Sequence, residues 1–148
     1  MLRLRDIAIT NDIELLNKAA NHHMSIVRRE VLKNDNCPVS ILKLFTKTIT
    51  KTNSEKEQCL LASNINCPEY MLDDLLDYIN DNGNLDYNQS VSYNIIKNKN
   101  CSFKTLKKIY KYILATNVEW FHCTVYKKYI NDPIRIDLSI FRDQFINL

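Results

Sequence analysis

The chain contains one glycine and three prolines in 148 residues. Tight β-hairpin turns depend on glycine or asparagine at positions of positive φ, so this scarcity argues against a protein built from hairpins. Helices joined by short turns are expected instead. No run approaches the roughly 18 uncharged apolar residues of a membrane span, and the opening Met1-Leu2-Arg3-Leu4-Arg5-Asp6 lacks the apolar centre of a signal peptide. A cytoplasmic protein is expected, with no membrane partner. There is no Cys-x-x-Cys pair, Gly-rich phosphate loop, Gly-x-Ser-x-Gly elbow or zincin motif. These absences remove the usual sequence grounds for a metal, nucleotide or hydrolytic site, so the expectation is a non-enzyme with no cofactor and no metal.

What is present suits one domain spanning 1–148. At 45% hydrophobic and 25% charged, the chain has enough apolar material to bury a core unaided. Its five cysteines are an odd number, which favours reduced thiols over a disulfide framework. Lys, Asn, Ile and Tyr are frequent, as in proteins from AT-rich genomes such as low-GC bacteria, phages and plasmids.

The most informative feature is an internal repeat. Three segments share one pattern: Val31-Leu32-Lys33-Asn34-Asp35-Asn36-Cys37-Pro38, Leu61-Ala62-Ser63-Asn64-Ile65-Asn66-Cys67-Pro68 and Ile95-Ile96-Lys97-Asn98-Lys99-Asn100-Cys101-Ser102. A fourth, Tyr126-Lys127-Lys128-Tyr129-Ile130-Asn131-Asp132-Pro133, keeps the second Asn and the Pro. Corner positions 37, 67, 101 and 132 are spaced by 30, 34 and 31 residues, the length of a helical-hairpin repeat. The flanks recur as well. Six residues before the corner stand Val31, Leu61, Ile95 and Tyr126; five after it stand Leu42, Leu72, Leu106 and, breaking the rule, Asp137; eight after it stand Phe45, Leu75, Ile109 and Ile140. Apolar positions at +5, +8 and +9 form one stripe of a helix.

The corner reads as a helix stop followed by a helix start. The first Asn is suited to the αL conformation that ends a helix, and Cys is expected at the N-cap with Pro at the first helical position. Each unit is then helix, tight corner, helix. The expected fold is all-α: a short right-handed α-solenoid of about four degenerate repeats with terminal capping helices. The cap covers 6–20, the repeats about 24–50, 55–80, 89–115 and 118–146, and the longer loops Thr46 to Glu55 and Asn80 to Gln89.

From Ile26 to Phe145 these residues resemble the leucine-rich variant repeats and, more broadly, HEAT-like helical repeats, whose units carry an Asn-rich, Pro-containing corner before a Leu-rich helix. In the variant class one helix of the pair can be a short 3₁₀ element, so the resemblance implies a first helix tighter than α. Two departures stand out: Ser102 replaces Pro, and the units are longer than the variant repeat. The iron–sulfur cluster of one leucine-rich variant protein depends on a separate Cys cluster that this chain lacks.

Alignment on the repeat changes how the chemistry-bearing residues read. Stacked repeats place equivalent residues about 8–10 Å apart, whereas zinc needs every thiolate at about 2.3 Å, so Cys37, Cys67 and Cys101 cannot share one ion. His22-His23 is expected to point to opposite sides of a helix or to sit in a loop. Lys97, Lys99, Lys104, Lys107, Lys108 and Lys111, interleaved with Phe103, Tyr110 and Tyr112, look like a basic helix for phosphate backbones. The repeat sets acidic residues against them, in the ladders Lys43–Asp73–Lys107 and Lys47–Asp77–Lys111, so the run specifies register more than it attracts nucleic acid.

The functional expectation is a protein-binding module, in one concrete form an inhibitor or immunity-type protein of a phage or mobile element that blocks a larger enzyme by occupying a surface. Trp120, Tyr93, Tyr126 and Tyr129 are its candidate contacts, since Trp and Tyr are typical hot-spot residues. The alternative is a HEAT-like nucleic-acid-binding protein using Lys104, Lys107, Lys108 and Lys111.

Overall fold

The computed structural model describes residues 3–52, 54–82 and 85–116. Met1–Ile109 forms one compact unit and Tyr110–Leu148 a second. The first contains all three Asn-x-Asn-Cys corners. The expected fourth repeat, 118–146, with its closing helix, Trp120, Tyr126 and Tyr129, lies outside the described residues.

Every regular element among the described residues is a helix, and none is a strand: α1 (Leu4–Ile7), α2 (Ile13–Ala20), α3 (Ser25–Leu32), α4 (Val39–Thr52), α5 (Glu55–Ser63), α6 (Glu69–Asn82), α7 (Leu85–Lys97) and α8 (Phe103–Thr116). Within the first unit α1, α3, α5 and α7 pack each on the next, and α2, α4 and α6 do the same beside them. None of the described helices is long and apolar enough to cross a membrane.

The core is the expected stripe. Val31, Leu61 and Ile95 are fully buried before the corners, and Leu42, Leu72, Phe45, Leu75 and Ile109 are buried after them. Leu106 is only half-buried. Each buried aliphatic side chain contributes roughly 1.5–3 kcal/mol, which explains why helices of eight or nine residues persist: they are held by packing rather than by propensity.

Four local expectations are corrected. The first helices α3, α5 and α7 are α-helical, not 3₁₀, and run for 8, 9 and 13 residues. The loops expected at Thr46 to Glu55 and Asn80 to Gln89 are largely helix, because α4 continues to Thr52 and α6 to Asn82. Those segments are polar and rich in Thr, Asn or Asp but hold no proline. Such residues cost at most about 0.7 kcal/mol each in a helix, so nothing stops the helix early.

The corner also closes differently. Asn64 is extended, with φ −66° and ψ 129°, and not αL. Its side chain supplies the closure that a left-handed residue would otherwise give. Pro38 and Pro68 sit one position earlier than expected, immediately before the first helical residue, and their carbonyls accept from Leu42 N (3.1 Å) and Leu72 N (3.3 Å). Ser102 occupies the same place before α8, and its hydroxyl accepts from Thr105 N at 3.2 Å. The departure from Pro is thus a conventional side-chain N-cap.

Candidate functional site

The geometry of the unit is organised by its corner asparagines. In each corner the first Asn makes an Asx-turn: Asn34, Asn64 and Asn98 accept through Oδ1 from the backbone N–H of Asn36, Asn66 and Asn100 at 2.7, 2.9 and 2.9 Å. Their carbonyls accept from Cys37, Cys67 and Cys101 N at 3.0–3.1 Å. Side-chain and backbone bonds together close the reversal.

The amide nitrogens of the same residues reach back one unit. Asn98 Nδ2 donates to Ala62 O and Asn64 O, both at 2.8 Å. Asn64 Nδ2 donates to Leu32 O (2.8 Å) and Asn34 O (3.1 Å). Asn34 Nδ2 donates to Ile7 O (2.7 Å) and Thr10 O (2.9 Å). The first rung therefore lands on α1 and Thr10, whose hydroxyl accepts from Asp12 N at 3.0 Å as the corner Asn side chains do from their own i+2 amides. The expected cap 6–20 is a miniature unit with Thr in the place of Asn.

A second, outer set of rungs runs alongside. Asn66 Nδ2 donates to Asp35 O (2.6 Å) and Cys37 O (3.1 Å), and Asn100 Nδ2 to Ile65 O (3.0 Å) and Cys67 O (2.9 Å). Corner carbonyls that would otherwise need water are satisfied by protein. Cys37 and Cys67 are fully buried beneath them. Burial pushes the Cys37 thiol up to about 11 and the Cys67 thiol up to about 12. No three His, Cys, Asp or Glu side chains come together as a metal site among the described residues.

On top of this hydrogen-bonded edge lies an open groove of about 790 Å³, lined by Pro38, Val39, Ile65, Asn66, Pro68, Glu69, Lys99 and Asn100. Ile65 is 42% exposed, and Val39 is also exposed. Tyr70 and Phe103, at 47% and 45%, are exposed at the starts of α6 and α8. The groove brings together three successive corners, and its apolar residues come from different positions of the repeat. Sequence reasoning missed it for that reason: it was tuned to residues that recur at one position. The discernible signal was an apolar residue close to each corner Pro: Val39 next to Pro38, and Ile65 three residues before Pro68.

The candidate contacts from the sequence fall elsewhere. Tyr93 is half-buried on α7, with Lys97 Nζ 4.7 Å from its ring centroid. Among the lysines, Lys104 and Lys108 turn toward α6. Asp73 accepts from Lys108 at 3.0 Å, from Lys104 at 3.4 Å and from the Thr105 hydroxyl at 3.2 Å. Lys108 also grips both oxygens of Asp77, at 3.0 and 2.9 Å. Lys108 thus joins Asp73 and Asp77, where the expected ladders set Lys107 and Lys111 against them. Between α6 and α8, equal counting from the corner does not preserve facing side chains, because side chains lean toward the preceding turn. Burial acts to raise the Asp73 carboxyl, but hydrogen bonds and charge from Lys108 and Lys104 outweigh it and hold it below its ordinary value. The Lys108 ammonium is raised, first by its hydrogen bond to Asp77 and then by Asp73. Lys107 is half-buried and Lys111 exposed. Lys43 contacts a neighbouring helix differently from the expected pair, with Nζ 5.6 Å from the Tyr70 ring centroid.

Between α2 and α3, the His22 and His23 rings stack at 4.4 Å instead of diverging. The carbonyls of both histidines accept from Arg28 Nη1 at 3.0 and 2.9 Å, and Arg28 Nη2 binds Glu57 Oε1 at 2.8 Å. One guanidinium thus clamps an inter-unit turn to the next first helix.

No family model, curated protein or solved structure matches this chain.

Proposed function

We propose that the chain is a non-enzymatic protein-binding module: a short right-handed helical solenoid whose corner edge occupies a surface of a larger protein, in the manner of an inhibitor or immunity-type protein. The observation that carries this reading is the groove over the corners, where Val39 and Ile65 stay exposed between two prolines while both sets of asparagine rungs satisfy the backbone beneath. A surface held by rungs at each unit loses little conformational freedom on binding, and such preorganisation favours affinity. Exposed apolar residues rimmed by Lys99 and Glu69 have the makeup of an interface centre with a polar rim. Against the nucleic-acid reading, two of its four lysines, Lys104 and Lys108, are engaged by Asp73 and Asp77.

The test is site-specific photo-crosslinking in native host lysate. A crosslinking residue placed at Ile65 is expected to give a discrete adduct, absent when the same residue is placed at exposed Lys18, and Val39→Asp is expected to weaken the Ile65 adduct at least tenfold. Equal, diffuse labelling from positions 65 and 18 would remove the reading.

A further inference from the structure

Six residues before the first Asn of each corner stand Arg28, Gln58 and Ser92, and seven before it Val27, Glu57 and Val91. The rungs from Asn64 to Asn34 and from Asn98 to Asn64 fix the register of α3, α5 and α7, so Arg28, Gln58 and Ser92 form a row across three stacked helices. This row lies one turn from the apolar layer of Val31, Leu61 and Ile95. Gln58 and Glu57 have no exposed surface, and Ser92 is 3% exposed.

Such a row inside a core should have internal partners, because burying an amide or hydroxyl without one forfeits its hydrogen bonds to water. Yet both amide atoms of Gln58 lack a hydrogen-bond partner, as do Glu57 Oε2, Ser92 Oγ and Arg28 Nε. The unmet set is mixed. Glu57 Oε2 and Gln58 Oε1 only accept, Gln58 Nε2 and Arg28 Nε only donate, and the Ser92 hydroxyl can do either. A metal or ammonium cation would satisfy only the acceptors, and an anion only the donors. Water does both, and it bridges polar atoms too far apart to bond directly on helices about 8–10 Å apart.

We propose that the Arg28–Gln58–Ser92 row, with Glu57 beside it, is an internal water-binding site in which the Gln58 amide is the central ligand. Globular proteins hold about one buried water per 27 residues, and these make about three hydrogen bonds each, so a site with this many unmet groups fits an ordinary structural water.

The test is a rotating-frame water-exchange NMR measurement on the native chain with the Gln58 side-chain amide assigned. Cross-relaxation of direct dipolar sign between water and the Gln58 Nε2 hydrogens is expected. It should persist in Ser92→Ala, which excludes relay through the hydroxyl proton, and be replaced in Gln58→Met by the loss of one long-lived water from oxygen-17 relaxation dispersion. A wild-type Gln58 amide that shows no such cross-relaxation, and instead a bond to a protein group, would overturn the proposal. That readout does not depend on whether Gln58→Met folds.

Discussion

The side-chain amide of Asn98 donates to the backbone carbonyl of Asn64 across 34 residues of chain at 2.8 Å, and Asn64 makes the same bond to Asn34. The repeat is therefore a hydrogen-bonded series as well as an apolar pattern. Each rung joins the end of one first helix to the end of the next, so losing a corner amide removes both of its bonds to the preceding unit.

Replacing Asn64 by Ala should be among the most damaging single changes in the chain. It leaves the Leu32 carbonyl and the Asn66 amide without their partner and takes one of two donors from the Asn34 carbonyl, which keeps Cys37 N. With unsatisfied buried groups at about 1–3 kcal/mol each, a loss of about 2–4 kcal/mol is expected in urea unfolding. Asn64→Asp should fare no better, since it keeps the acceptor and aims a carboxylate at two carbonyls. Asn36→Ala, at an exposed corner position, should change stability by less than about 1 kcal/mol.

The Arg28–Glu57 pair should be costly to break and cheap to replace. Arg28→Ala strands a fully buried carboxylate, a situation that typically costs about 3–5 kcal/mol. The double variant Arg28→Met with Glu57→Val, which restores the valine found at 27 and 91, is expected to recover most of that loss. A double variant as unstable as Arg28→Ala would show that the guanidinium's bonds to the His22 and His23 carbonyls matter more than its charge partner.

The Asp73–Lys108 contact sets opposite pH limits. The Asp73 carboxyl is lower in the folded state than in the unfolded chain, so its contribution is complete above the ordinary aspartate value of 3.8 and lost as pH falls through the folded value. The Lys108 ammonium is raised, so its contribution is complete below 10.5 and lost as pH climbs through its folded value. Thermal melts should therefore show a plateau between these limits, with the acid limb shallower in Asp73→Asn.

The corner thiols should be nearly inert while the chain is folded. Raising Cys67 from 9.0 to about 12 cuts its thiolate fraction about a thousandfold at neutral pH. Cys37 and Cys59 are raised to about 11, Cys59 by burial and by the charge of Glu55 against a hydrogen bond from Asn94. Iodoacetamide at pH 8 should leave Cys37 and Cys67 unmodified in the native protein and label both in urea.

How much of this was legible follows from what kind of signal each feature leaves. The corners were visible because Asn-x-Asn-Cys recurs, and the core because Val31, Leu61 and Ile95 recur with it. The function of the first Asn was misread: an asparagine ending a helix suggests αL, whereas Asn64 stays extended and works through its side chain. The lysine ladder was visible as alternating charge but not its facing partners, which depend on the direction in which side chains lean. The groove was hidden because its exposed apolar residues, Val39 and Ile65, occupy different places in the unit, and the polar row was hidden because Gln58 and Ser92 look like surface residues when read one at a time.

The rungs themselves are open to direct measurement. Solvent exchange of the asparagine side-chain amide protons, followed by NMR in the native state, should be slow for Asn34, Asn64 and Asn98, approaching the protection of core backbone amides, and fast for exposed Asn17. If the Asn64 and Asn98 amide protons exchange as fast as those of Asn17, the corner amides do not hold successive units together, and the account of this fold is wrong.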